Sequence, residues 1–193
     1  MLEAEVKLRI DEPAAERLRK RLQTLGASPG TPVHQRDIYF AHPKRDFSKT
    51  DEALRLRFEE RGLFVTYKGK KLDPPRKTRE EIEFALATDP ETATLLLQRL
   101  GFTVVATVEK LRSEFTLTAP SAAIISIDRI EGLGVFCEVE VSADTVEQGR
   151  EGLTHFLAKL DLEELSPIPE SYLELLIEVQ SHTPSETNPR AKK

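Results

Sequence analysis

Cysteine is almost absent from this chain: Cys137 is the single one in 193 residues, so no internal disulfide framework is available. No apolar run approaches the roughly 20 residues that a membrane-spanning helix needs. Residues 1–15 hold no secretory apolar core either. These absences predict a soluble cytoplasmic protein with no membrane partner. Basic residues are outnumbered, 28 against 33 acidic ones, and the net charge of −5 argues against a nucleic-acid partner. Neither a Gly-x-x-x-x-Gly-Lys-Ser/Thr loop nor a Gly-x-Gly-x-x-Gly stretch occurs, which removes two common nucleotide-binding designs. His34, His42, His155 and His182 show no metal-ligand spacing and read as structural or surface residues. Cys137 has the parity of its apolar neighbours and reads as a packing residue.

What the chain does have is charge in alternating register. Hydrophobic residues make up 39% and charged residues 32%, a globular composition richer in charge than a plain surface needs. Side chains of a strand alternate faces with period two. Glu3, Glu5, Lys7 and Arg9 therefore share one face of the first strand, and Leu2, Ala4, Val6, Leu8 and Ile10 the other. The same split recurs at Arg55 and Arg57, Lys68, Arg79 with Glu81 and Glu83, Lys110 and Arg112, Asp128, and Glu138 with Glu140. For any one pair, a solvated strand face with cross-strand ion pairs is the plain explanation. Its repetition points to a sheet whose apolar faces pack outward against helices and whose charged faces line a common interior.

Local signals place these segments. A strand over about 2–10 leads into a helix with Asp11 as N-cap, Pro13 in its first turn and Gly26 as its stop. A strand follows from about Val33 to Phe40, then a polar loop over 43–52. Ala53–Glu59 and Leu63–Gly69 read as a hairpin turned by Arg61-Gly62, and Lys70–Lys77 as a basic loop interrupted by Asp73-Pro74-Pro75. A strand from Thr78 to about Ala87 precedes a helix that starts at Thr88-Asp89-Pro90-Glu91 and ends at Gly101. Strands are expected over about 102–112, 113–119, 122–131 and 134–143, then helices over about Val146–Leu160 and around Ser171-Tyr172-Leu173-Glu174-Leu175-Leu176. Residues 1–180 are expected to form a single domain and residues 181–193 a disordered tail.

Residues i and i+2 of a strand lie about 6.5–7 Å apart, so Glu3 with Glu5, and Glu138 with Glu140, are spaced to converge on hard divalent cations such as Mg2+ or Mn2+. Asp128 is a further carboxylate of the same kind. Lys7, Arg55, Arg57, Lys68, Arg79, Lys110 and Arg112 are the candidates for holding phosphate, arginine by its planar fork and lysine as a point charge. Enclosed charges are costly to desolvate unless compensated. A closed mixed-sign channel therefore implies a ligand, ordered water, or both.

The ordered set Glu3-x-Glu5-x-Lys7, Arg55-x-Arg57, Lys68, Arg79-x-Glu81-x-Glu83, Lys110-x-Arg112, Asp128 and Glu138-x-Glu140 resembles the signature of the CYTH superfamily, the triphosphate tunnel metalloenzymes. The resemblance implies an α+β fold built on a closed antiparallel eight-stranded β-barrel, a tunnel, with flanking helices. It also implies Mg2+ or Mn2+ held by Glu3, Glu5, Asp128, Glu138 and Glu140, with Glu3, Glu5, Lys7 and Glu138 at the catalytic centre, and a homodimer. Gln35-Arg36-Asp37-Ile38-Tyr39-Phe40 and Ser171-Tyr172-Leu173-Glu174-Leu175-Leu176 are similar to segments of class IV adenylyl cyclases. The activity implied is conversion of ATP to cyclic AMP and pyrophosphate. The alternative is a triphosphatase acting on inorganic tripolyphosphate or thiamine triphosphate.

Overall fold

The computed structural model describes residues 2–70, 80–118 and 122–182. The elements run β1 (Leu2–Ile10), α1 (Glu12–Thr24), β2 (Ser28–Pro29), β3 (Val33–Ala41), α2 (Phe47–Thr50), β4 (Ala53–Glu59), β5 (Gly62–Lys68) and β6 (Glu81–Leu86). They continue with α3 (Pro90–Arg99), β7 (Thr103–Leu117), β8 (Ala123–Ile130), β9 (Gly134–Ala143), α4 (Val146–Lys159) and α5 (Tyr172–His182). One antiparallel sheet curls through the order β1-β9-β8-β7-β3-β4-β5-β6, and β2 pairs with β7 beside that path.

Two element boundaries differ from expectation. The strands expected over 102–112 and 113–119 are one 15-residue strand, β7, long enough to pair with β3 along one part and β8 along another. The polar loop over 43–52 contains α2, started by the Asp46 side chain accepting from the Ser48 N–H at 3.2 Å. The basic loop beyond Lys70 and the expected tail beyond His182 lie outside the described residues.

Barrel closure is not reached among the described residues. The sheet is an open half-barrel whose edges, β1 and β6, share no ladder. Acidic side chains of the two edges act on one another across the gap. Glu3 on β1 is pushed above its ordinary pKa first by burial and then by Glu81 of β6, with Glu5 and Glu83 adding to the effect against Lys68.

The convex face is packed as the alternation requires. Alternate residues of β1, β8 and β9 meet α1 and α4 in a core where Leu8, Leu22, Ile125, Ile127, Val139 and Phe156 are fully buried. Phe156→Ala would cost about 3–5 kcal/mol by the usual scale for core aromatics. The helix α4 lies so close to β1 that a Cβ on Gly149 would stand 2.7 Å from the Ala4 Cβ, so only glycine fits. A second apolar cluster seats α3 against β3, β4 and β5 through Ile38, Phe40, Leu56, Leu63 and Ala93.

The concave face departs from the expected pattern. It is not purely ionic, because α5 docks there on Tyr39, Val108, Ile130, Leu133 and Phe136 through Tyr172 and Leu175. Of these, the strand residues Tyr39, Val108, Ile130 and Phe136 share the inward parity of the charged ones, and Leu133 comes from the turn between β8 and β9. Part of the interior is thus a small core, and the charged cavity occupies the rest.

Candidate active site

The cavity has a volume of ≈ 740 Å³, within the range of small-molecule sites. Ten acidic and eight basic side chains line it, so it is not a simple anion hole. Phe47, Leu54, Val105, Leu173 and Ile177 add an apolar portion to the lining. Of the residues expected from sequence, Glu3, Glu5, Lys7, Arg55, Arg57, Lys68, Lys110, Arg112, Glu138 and Glu140 all reach this one cavity. Arg79 lies outside the described residues.

Strand register sets the cations. On β3 and β4, Asp37 stands opposite Arg57. The Arg57 Nε and Nη2 donate to the two Asp37 carboxylate oxygens, each at 2.7 Å, and the Arg55 Nη1 donates to Oδ2 at 3.4 Å. Lys110 Nζ lies 3.8 Å from the same oxygen. Burial pushes the Asp37 carboxyl up, but Arg55, Lys110 and Arg57 outweigh it and hold the group well below the usual carboxylate range. Lys110 itself is pushed down to about 7, first by burial and then by Arg112 and Arg57, against the pull of Asp128 and Asp37. Asp37 carries no assignment from the sequence. Its signal was available: it has the inward parity of Gln35 and Tyr39 and lies in a segment noted only for its resemblance.

Arg112 is held the same way. Asp128 stands opposite it across β7 and β8. Arg112 Nε and Nη2 donate to Asp128 Oδ1 and Oδ2 at 2.8 and 2.5 Å, and Nη2 also donates to Glu138 Oε2 at 2.5 Å. The Tyr172 hydroxyl donates to Asp128 Oδ2 at 2.9 Å. Asp128 is wholly buried and is not among the residues that line the cavity; it sits behind Arg112, whose Nη2 it shares with Glu138. Across β1 and β9, Lys7 stands opposite Glu138, with Nζ 3.6 Å from Oε1. Lys68 Nζ donates to Glu81 Oε2 at 2.7 Å.

The neighbouring pair on the same two strands is different. Glu5 stands directly opposite Glu140, an arrangement of like charges that destabilises a sheet. Glu140 is pushed up to about 7, by burial and then by Glu3 and Glu5. Among the described residues, no three His, Cys, Asp or Glu side chains are close enough to form a ready metal cage. The donor set nevertheless fits a hard divalent cation: it is all carboxylate oxygen, and it is held together at a cost that a cation relieves. Mg2+ in particular takes one or two carboxylates and completes its shell with water and substrate phosphate.

Residues 1–172 match the CYTH domain family, and the chain belongs to that family. It is 40% identical over 178 residues to a Methanocaldococcus jannaschii protein provisionally named an adenylate cyclase, covering 91% of this chain and 98% of that one. A solved Pyrococcus horikoshii protein matches with a TM-score of 0.79 and 35% identity, covering 91% and 98% of the two chains. A Hippeastrum protein, provisionally named an adenylyl cyclase and described as having a dominant triphosphatase activity, shares the fold. It matches with a TM-score of 0.70 at 19% identity over 92% of this chain and 96% of its own.

Proposed function

We propose that this CYTH protein is a divalent-metal-dependent enzyme that cyclises ATP to cyclic AMP and pyrophosphate. The observation that carries the reading is one cavity in which anchored cations, mutually repelling carboxylates and apolar side chains all meet. Lys7, Arg55, Arg57, Lys68, Lys110 and Arg112 would hold the β- and γ-phosphates, with Arg79 joining them by the family resemblance. Phe47, Val105 and Ile177 offer the nucleoside a surface that inorganic tripolyphosphate has no use for. Glu3, Glu5, Glu138 and Glu140 would hold Mg2+ or Mn2+, and Asp128 would position Arg112. When bound, the cation would offset phosphate charge and acidify the attacking hydroxyl. In the reaction the ribose 3′-hydroxyl gives up its proton to solvent, its oxygen bonds to the α-phosphorus, the bond from the α-phosphorus to the bridging oxygen breaks, and pyrophosphate leaves.

The second reading is a triphosphatase, in which water attacks the γ-phosphorus. It is favoured by the activity described for the Hippeastrum protein and by cations that suit either reaction. Supplying ATP, tripolyphosphate and thiamine triphosphate separately with Mg2+ or Mn2+ decides between them. Cyclic AMP with pyrophosphate supports cyclisation, orthophosphate supports hydrolysis, and no product with any metal removes both. The proposal extends to one domain over residues 1–180 and to a homodimer, supported by the exposed apolar side chains Phe84, Leu96 and Leu100. Light scattering at micromolar concentration tests the dimer.

A further inference from the structure

The start of α5 is fixed with unusual care for a helix that follows a loop. Ser171 and Glu174 form a reciprocal cap, the Glu174 carboxylate accepting from the Ser171 N–H at 2.5 Å and the Ser171 Oγ from the Glu174 N–H at 3.2 Å. Just upstream, the Ile168 N–H donates to the Lys7 carbonyl at 2.8 Å, and Pro167 bridges to Leu8. Tyr172 is therefore held from both sides. Its ring is buried, edge-on to Phe136 with centroids 5.2 Å apart.

Three of the phosphate-binding cations converge on this one side chain. Lys7 Nζ stands 3.7 Å from the ring centroid and Lys110 Nζ 5.2 Å from it, both within cation–π range. Lys7 Nζ also donates to the Glu170 carbonyl at 3.0 Å, two residues from Tyr172. The Tyr172 hydroxyl holds Asp128, and Asp128 holds Arg112 through both oxygens. Burial, with Glu138 and Asp128 nearby, keeps the phenol neutral and thus a donor.

We propose that Tyr172 is a positioning residue of the triphosphate site: its hydroxyl sets Arg112 through Asp128, and its ring face sets Lys7 and Lys110. This rests on the reading of the cavity as a triphosphate site. It makes the C-terminal helix part of the binding machinery as well as of the interior core. The Ser171–Leu176 segment then carries chemistry through geometry alone, since its cap aims the one aromatic ring that the lysines share.

A double-mutant cycle on tripolyphosphate binding with Mg2+, measured by calorimetry on the full-length protein, tests it. Tyr172→Phe removes only the hydroxyl and is expected to weaken binding about 5- to 10-fold, the scale of a hydrogen bond to a charged group. In an Arg112→Met background the same change is expected to cost nothing, because the residue it acts through is gone. Tyr172→Leu removes the ring as well and is expected to weaken binding further in both backgrounds, with the Phe variant recovering the lysine-dependent part. An equal cost of Tyr172→Phe in both backgrounds, or no cost in either, overturns the proposal. If the unmutated protein binds no triphosphate, the functional reading fails first, and that control separates the two failures.

Discussion

Across β3 and β4, Asp37 stands opposite Arg57, and across β7 and β8, Asp128 stands opposite Arg112; across β1 and β9, Glu5 stands opposite Glu140. Both regions are charged and face the same interior, yet the first sets each arginine against a carboxylate and the second sets two carboxylates face to face. Each arginine of the first region has its fork closed by a buried carboxylate, so its direction is set before any phosphate arrives. In the second region the Glu140 carboxyl is pushed up to about 7, first by burial and then by the charges of Glu3 and Glu5. A cavity for a free anion needs only the first arrangement. A cavity for a metal-bound anion needs both, the rigid half to orient the phosphates and the repelling half to favour the cation.

The largest expected effect breaks the half that sets arginine against carboxylate. Asp37→Asn keeps the shape but removes the charge that Arg55, Arg57 and Lys110 share. Losing one partner of a buried ion pair costs about 3–5 kcal/mol, because the remaining charges stay desolvated. A urea titration should show a loss of that order, whereas a loss below about 1 kcal/mol would mean that water already compensates these arginines.

The next effect separates the halves by their response to metal. A cation at about 100 times its dissociation constant stabilises the fold by roughly 2.7 kcal/mol. That gain should vanish in Glu140→Gln and persist in Asp128→Asn, since Asp128 sits behind Arg112 and off the cavity wall. Melting curves with and without Mg2+ check it. Loss of the gain in Asp128→Asn alone would return Asp128 to the metal ligands.

Much of this division was legible in the residues themselves. Period-two alternation put Glu3, Glu5, Arg55, Arg57, Lys110, Arg112, Glu138 and Glu140 on inward faces, and they share one cavity. What alternation cannot supply is register. Whether a charge meets its opposite, as Arg112 meets Asp128, or its like, as Glu5 meets Glu140, depends on how strands slide past each other. Alternation alone therefore gives neither the pairing of Asp128 with Arg112 nor that of Asp37 with Arg57. Helix docking was hidden for a related reason: the apolar residues that receive α5, such as Val108, Ile130 and Phe136, are interspersed at the same parity as the charges. That β7 is a single strand is equally hidden, because its length comes from two neighbours on opposite edges, β3 along 103–112 and β8 along 110–117, and alternation does not show pairing.

A smaller effect probes Lys110 inside the arginine–carboxylate half. Its ammonium, ordinarily titrating at 10.5, is pushed down to about 7. Between those two values the unfolded chain holds a proton that the native state has released, so stability should rise with pH across that window. The slope is at most about 1.4 kcal/mol per pH unit. As pH falls through about 7 the native lysine charges too, and the contribution reaches its lowest level. Urea midpoints at pH 7 and pH 9 should therefore separate for the natural protein and converge for Lys110→Met. Equal separation in both would place the titration elsewhere.

The smallest expected effect has the opposite sign from the first. Glu5→Gln removes one of two like charges that face each other across β1 and β9, and cross-strand pairs of this kind are worth about 0.2–1 kcal/mol. In chelator-treated protein this substitution should stabilise the fold by that amount, while metal-dependent turnover falls at least about 100-fold, the upper scale for loss of a group that supports a metal site. A core residue loses both stability and activity when changed, and a plain surface residue loses neither. Gain of stability with loss of activity is the mark of a charge kept for its ligand. If Glu5→Gln destabilises the metal-free protein instead, Glu5 and Glu140 are already compensated, and the two regions do not differ in the way their register implies.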